Sequence, residues 1–203
     1  LGLIFALLLT VVALSIERYF ALRTAFGTGS LTKFVAEIKA AIKANDFNAA
    51  RAICDKQKGS VANVVLASVN TYVEMENTTG VKKAQKVAKI QQAHEEATQL
   101  EMPTLQMNLP IIATIVTLGT LTALFGTVLG MIGSFQALAA GGGGDSLALS
   151  QGISEALVNT AAGIATSWVA VVAYNTYTNK IDKLTYALDE VGYTIAQTYE
   201  ANH

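Results

Sequence analysis

The stretch that decides the fold is NLPIIATIVTLGTLTALFGTVLGMIGSFQALAA, residues 108–140, together with SLALSQGISEALVNTAAGIATSWVAVVAYNTYTN, residues 146–179. No Lys, Arg, Asp or Glu lies between Glu101 and Asp145, and Glu155 is the one such residue from Ser146 to Asn179. About 20 apolar residues cross the ~30 Å hydrocarbon core of a bilayer, so each stretch is long enough to span it. Glu155 is then an ionisable group inside a span. A charge at such a position costs about 2.5–3.5 kcal/mol on insertion scales for Asp, Lys or Arg, and it marks an ion or proton path.

Composition agrees with a membrane protein. The chain is 52% hydrophobic and only 14% charged, with a mean hydropathy of +0.40. A net charge of −1, without a basic block, gives no footprint for nucleic acid. Cys54 is the single cysteine, which excludes a disulfide framework. His94-Glu95-Glu96 begins like a zinc-binding HExxH helix but lacks the second His, and Gly141 to Gly144 lacks the lysine of a phosphate loop. Neither a metal nor a cofactor is expected, and enzyme chemistry has no constellation to use.

Outward from the two long spans, residues 1–26 read as a first transmembrane helix that begins inside its apolar run, its first turns and anything before them being absent here. No basic start or small-residue cleavage site marks it as a signal peptide. Arg18, Arg23, Lys33 and Lys39 follow it, and Lys180 and Lys183 follow the third span, while no Lys or Arg lies between Lys89 and Lys180. The positive-inside rule then sets the amino end outside, the 141–146 loop outside, and the carboxyl end in the cytoplasm.

Residues 27–107 are expected to form a cytoplasmic helical domain. Gly27 to Ser30 is a flexible break, followed by a helical stripe of Leu31, Phe34, Val35, Ile38, Ala41 and Ile42. Asn45-Asp46 can cap a second helix carrying Phe47, Ala50, Ile53 and Cys54, the last a small core residue. A third runs from about Ser60 to Glu76, and Asn77 to Gly80 breaks it. Val81 to Leu100 forms a long helix with a stripe of Val87, Ala88, Ile90, Ala93, Ala97 and Leu100. It runs on into the second span (108–140), with Pro103 and Pro110 as points of kinking. After the third span (147–179), residues 180–203 continue as a cytoplasmic helix. The predicted fold class is all-α.

Thr120, Ala123, Thr127, Gly130 and Ser134 recur at steps of three and four on one face of the second span, with Gly126 and Gly130 forming GxxxG beside it. Gly152, Glu155, Asn159, Gly163, Thr166 and Ala170 run down the third span, with Thr160 and Ser167 alongside. Thr127 and Thr160 both fall near mid-membrane, and Glu155 lies ~7.5 Å nearer the outer face than Thr160. Two hydroxyls at one depth suit a narrow polar pore, yet three spans cannot enclose one, so several copies are expected to form a ring. Plainer roles stand beside this. A membrane Thr commonly bonds its own i−4 carbonyl, Glu155 can be a structural acid, and Asn159 can be interhelical glue. Trp168 sits too deep to be read as an interfacial anchor.

Leu124 to Ile132 with Phe135 resembles the "LLGTVxGMIxxF" signature of the ExbB/TolQ/MotA family, and Gly152 to Gly163 resembles its "GIxEALxxTAxGL" signature. Tyr174-Asn175 matches the closing "YN", Glu17 to Arg23 the basic exit of the first span, and Ala50 to Cys54 a cytoplasmic "A…C" helix. Three spans favour ExbB or TolQ over MotA. The resemblance implies a homopentamer in the bacterial inner membrane around two single-span ExbD/TolR-like partner helices. It further implies a proton-driven motor acting through a TonB-like transducer on outer-membrane transport, or the envelope role of TolQ. It puts Thr127 and Thr160 opposite a partner Asp and makes Glu155 part of the path. A charge crossing 100 mV releases about 2.3 kcal/mol, enough for a few ions to drive a conformational step. Gly119-Thr120 stands where the family often has Ala-Pro, and Ser167-Trp168-Val169 where it often has Ala-Ile-Pro. The extra oxygens of Thr120, Asn159, Thr166 and Ser167 raise Na⁺ as an alternative to the default H⁺.

Overall fold

The computed structural model describes residues 1–140 and 146–202. Seven helices follow in order: α1 (Gly2–Phe26), α2 (Leu31–Lys43), α3 (Phe47–Gln57), α4 (Gly59–Asn77), α5 (Lys83–Gln106), α6 (Leu109–Ala140) and α7 (Ser146–Asn202). No strand occurs among the described residues, so the all-α prediction holds. The loop expected over 141–146 lies, but for Ser146, outside the described residues.

The chain divides into two compact units. The spanning unit comprises Leu1–Arg18 and Asn108–Tyr177. The amphipathic unit comprises Tyr19–Met107 and α7 from Thr178 onward.

In the spanning unit, α1, α6 and α7 each contain a stretch long and apolar enough to cross a bilayer. Their large side chains point outward: Leu3, Phe5 and Leu9 on α1, Leu124, Phe125 and Leu129 on α6, Leu157, Trp168 and Val172 on α7 are all exposed. A soluble protein rarely exposes so much contiguous apolar surface, whereas acyl chains solvate it. The Tyr177 hydroxyl on α7 donates to the Ser15 carbonyl on α1 at 2.6 Å.

The amphipathic unit is held by ordinary apolar burial. Phe34, Val35, Ile38, Ala41 and Ile42 of α2 are buried, as the spacing predicts. They are joined in the core by Val61, Val64, Val65 and Val69 of α4, and by Leu184, Leu188, Val191 and Ile195 of α7. Tyr72 is fully buried between Phe47 (ring centroids 4.5 Å apart) and Tyr199 (4.8 Å, edge-on). Cys54 is buried in α3, and the Asp46 side chain caps α3 by accepting from the Ala49 N–H at 2.9 Å.

Three expectations need correction. The break after α1 is tied down. Gly27 takes φ +82°, the Thr28 N–H donates to the Gln57 carbonyl at 2.8 Å, and the Gln57 amide donates to the Phe26 carbonyl at 2.6 Å. Only Gly fits position 27, because a Cβ there would strike the Gln57 main chain.

The helix expected to run unbroken into the second span stops instead at Met107 and Asn108, where Asn108 adopts φ 65°. The break itself falls between the two prolines. Pro103 lies in the last turns of α5, and Pro110 in the first turn of α6, where no N–H is needed. On α5, Ile90 is buried as the stripe predicts, together with His94 and Leu105, whereas Leu100 is 80% exposed.

Candidate functional site

Within the spanning unit α6 and α7 meet along small residues. A Cβ on Gly163 would strike the Ala123 methyl and come within 2.6 Å of the Gly119 carbonyl. One on Gly130 would sit 3.1 Å from the Ala156 methyl, and one on Gly152 would strike the Ser134 hydroxyl. In lipid, where apolar burial gives no drive, such close backbone approach supplies the dispersion contacts that hold helices together. Gly126, predicted to pack through GxxxG, meets no other atom of the chain within 4 Å of where its Cβ would be. The seam used is therefore Gly119, Ala123, Gly130 and Ser134 against Gly152, Ala156, Gly163 and Ser167.

The two hydroxyls meet in that seam. Thr127 Oγ1 lies 2.9 Å from the Ala123 carbonyl and 3.1 Å from the Ala156 carbonyl, and it is hydrogen-bonded to Thr160 Oγ1. Thr160 Oγ1 also lies 3.4 Å from the Ala156 carbonyl. Each hydroxyl has one proton and two lone pairs. Two protons are thus distributed over two carbonyls and two hydroxyl oxygens, and more than one arrangement satisfies them. A pair of that kind can reverse its donor direction or turn oxygens toward a cation.

Thr127 also lines an open groove of about 600 Å³ along α6, otherwise formed by Val128, Met131, Ile132, Phe135, Gln136 and Ala139. The Ala123 and Ala156 carbonyls escaped the sequence reading. Their signal was present, since each is four residues before a threonine, where back-bonding is expected.

The remaining predicted residues separate. Glu155 is exposed. It is not brought to the hydroxyl pair, because five residues along a helix rotate it by about 140° from Thr160. Thr120 is exposed, off the seam, and its hydroxyl donates to the Thr117 carbonyl at 3.0 Å. Asn159 is half-buried. Thr166 is buried and donates to the Ala162 carbonyl at 2.9 Å. Ser167 is buried, and its hydroxyl has no partner among the described residues; a Cβ on Gly119 would lie 2.5 Å from it. No group of His, Cys, Asp or Glu among the described residues is arranged to hold a metal.

At the end of the α1 span the sequence read Arg18, with Arg23, Lys33 and Lys39, as a basic exit. Arg18 is instead 1% exposed, its Nε donating to Glu17 Oε2 at 2.6 Å. Asn108 Nδ2 donates to the same carboxyl oxygen at 3.1 Å.

Three long apolar helices, two of them joined by a seam of small residues that holds a pair of hydrogen-bonded hydroxyls, define a multi-pass membrane protein. The chain belongs to the MotA/TolQ/ExbB proton channel family, whose sequence model matches residues 58–190, and so both α6 and most of α7. It is 29% identical over 143 residues to the Tol-Pal system protein TolQ of Pseudomonas aeruginosa, covering 70% of this chain and 59% of that one. It is also 34% identical over 87 residues to the putative biopolymer transport protein ExbB-like 3 of Synechocystis, covering 42% and 41%. With TolQ of Haemophilus influenzae the identity is 32% over 84 residues, covering 41% and 37%. The chain spans less than two thirds of the length of these curated relatives.

Proposed function

We infer that this chain is the ion-conducting, non-enzymatic subunit of a motor in the bacterial inner membrane, driven by the proton motive force. The observation that carries this reading is the Thr127–Thr160 pair, whose two protons are shared with the Ala123 and Ala156 carbonyls at mid-span. Family membership in proton channels supports it. A proton or a desolvated cation passing this depth loses its water and needs oxygens to replace it. Two hydroxyls and two carbonyls at one depth supply them.

One copy leaves the Thr127 groove open and Glu155 facing outward. The working path is therefore built between copies. A homopentamer around two ExbD/TolR-like single-span helices accounts for both features, with a partner carboxylate facing Thr127 and Thr160 and with Glu155 along the approach. Thr166, Ser167, Asn159 and Thr120 are secondary positions for ion selection, and Gly130 and Gly163 hold the seam. The orientation has the amino end of α1 periplasmic and the carboxyl end of α7 cytoplasmic, because Lys180 and Lys183 follow the third span.

The first role assigned is ExbB-like, energising outer-membrane transport through a TonB-like transducer. A TolQ-like role in the cell envelope is the second reading, favoured by the longer match to TolQ, 143 residues against 87 for the ExbB-like relative.

The test is proton flux into proteoliposomes carrying the assembled complex, driven by a potassium diffusion potential. Thr127→Val and Thr160→Val each remove a hydroxyl that would bond a charged species, worth about 1.5–3 kcal/mol or roughly ten- to hundredfold in rate. Flux should fall by that factor while the particle mass stays unchanged. Unchanged flux in both variants would leave a passive scaffold as the better description. Flux that disappears when Na⁺ is replaced by K⁺ at a fixed proton gradient would transfer the reading to Na⁺.

A further inference from the structure

The amphipathic unit buries an ionisable group that ion conduction does not use. His94, on α5, is 7% exposed and lies where α4, α5 and α7 come together. Its Nδ1 is 2.8 Å from the Ser68 hydroxyl on α4. That hydroxyl, with its single proton, also lies 3.0 Å from the Val64 carbonyl. With that proton on Val64, Ser68 accepts from Nδ1–H of the neutral ring; with it turned to the imidazole, Nδ1 accepts, and either neutral tautomer is held by the same contact. Nε2 has no hydrogen-bond partner among the described residues.

The other face of the ring lies against Gly192 of α7. A Cβ there would be 2.5 Å from both Cδ2 and Nε2 and 2.7 Å from Cε1. Glycine inside a helix destabilises it by roughly 0.5–1 kcal/mol relative to alanine, and here no other residue leaves room for the imidazole. The site is shaped to the uncharged ring.

We propose that His94 is a proton-operated release for the α4–α5–α7 packing. Neutral, the ring seats between Ser68 and Gly192. Protonated, it carries a second N–H and a charge into a buried place where the Leu188 carbonyl offsets only part of the cost of burial, and it swings outward. The ionisable groups around it define the outward state: Glu95 beside it on α5 and Asp189 on α7, both exposed, with the Leu188 carbonyl also favouring the cation. On α4 the acids Glu74 and Glu76 lie about 9 Å or more along the helix from Ser68. Burial opposes the charged ring more strongly than these groups favour it.

The sign follows. With the folded-state value depressed below the ordinary ~6.5, the stabilisation is complete above that pH and is lost as pH falls below it. Acidification of the compartment this unit occupies would loosen α5, the helix that precedes α6 in the chain. Which compartment that is rests on the orientation proposed above. The release itself is a property of the amphipathic unit, whatever ion the spanning unit carries.

The test is amide hydrogen exchange on the full chain in nanodiscs at about pH 7.5 and about pH 5.5, corrected for intrinsic exchange. Alongside it, ¹³C-histidine NMR is recorded on a His203→Gln chain, in which His94 is the remaining histidine. Amides of α4, α5 and the α7 segment around Gly192 should exchange at least about tenfold faster at the lower pH, one pH unit of differential protonation being tenfold. His94→Gln should show at most about a twofold change, and the His94 midpoint should fall below about 6.5. Gly192→Ala, which crowds the ring, should show the fast exchange already at about pH 7.5. An equal pH response in wild type and His94→Gln, or a His94 midpoint at or above about 6.5, would overturn the proposal; the NMR arm decides even if His94→Gln does not fold.

Discussion

On α4 of the amphipathic unit the buried face is Val61, Val64, Val65, Val69 and Tyr72. On α6 of the spanning unit the buried positions include Gly119, Ala123 and Ser134, with Thr127 and Gly130 half-buried between them. Both faces follow the same three-and-four spacing. They differ because their surroundings differ. In water, burying a large apolar side chain is worth about 1.5–3 kcal/mol, so bulk goes inward. In acyl chains that gain is absent, so bulk goes outward and the helices are held by backbone proximity and shared hydrogen bonds. The same rule makes the spanning seam the place where polar atoms collect.

That contrast can be broken most forcibly at Tyr72. Tyr72→Ala removes a fully buried ring that touches Phe47 and Tyr199 and should cost about 3–5 kcal/mol, read as a lowered unfolding midpoint of the solubilised chain. A cost near that of a surface change would mean the amphipathic unit does not depend on its aromatic core. In the spanning unit the sensitive change adds bulk. Gly163→Val drives a side chain into Ala123 and the Gly119 main chain and should cost about 1–3 kcal/mol or more, seen as loss of the assembled particle. Gly126→Ala, in the same span but with open space at its Cβ, should leave the fold of the chain within about 0.5 kcal/mol. If Gly126→Ala nevertheless blocks assembly, Gly126 packs against a second copy, which sharpens the contrast. A cap gives a smaller effect than either of the two core changes: Asp46→Ala should cost about 1 kcal/mol by removing the acceptor for the Ala49 N–H.

Much of this was legible in the residues. Span positions follow from uninterrupted apolar length, the α2 core from its periodicity, the α3 start from Asp46, and the matching depth of Thr127 and Thr160 from simple rise per residue. What was misread has physical causes. On α5 the buried residues are Ile90, His94 and Leu105; the apolar pattern found Ile90 but passed over the polar His94 and took in Leu100, which is exposed. The break at Asn108 carries no Gly or Pro at its centre; asparagine tolerates the left-handed conformation, and composition alone does not announce it. Thr120 and Thr127 share a sequence stripe, yet a seam of glycines is narrow and only Thr127 reaches it. Glu155 was grouped with Asn159 and Gly163 by spacing alone, yet it is exposed while Gly163 is buried against α6.

The central claim, that the hydroxyl pair borders an aqueous ion path, is tested most directly by cysteine accessibility at that depth in the assembled membrane complex. The chain's own Cys54 gives a quiet background, since burial pushes its thiol up to about 12 and leaves almost no reactive thiolate at neutral pH. Thr160→Cys should react with a small cationic, water-borne thiol reagent, and Leu157→Cys, on the exposed apolar face of the same helix, should not. Silence at Thr160→Cys, or labelling at Leu157→Cys in its place, would contradict the account.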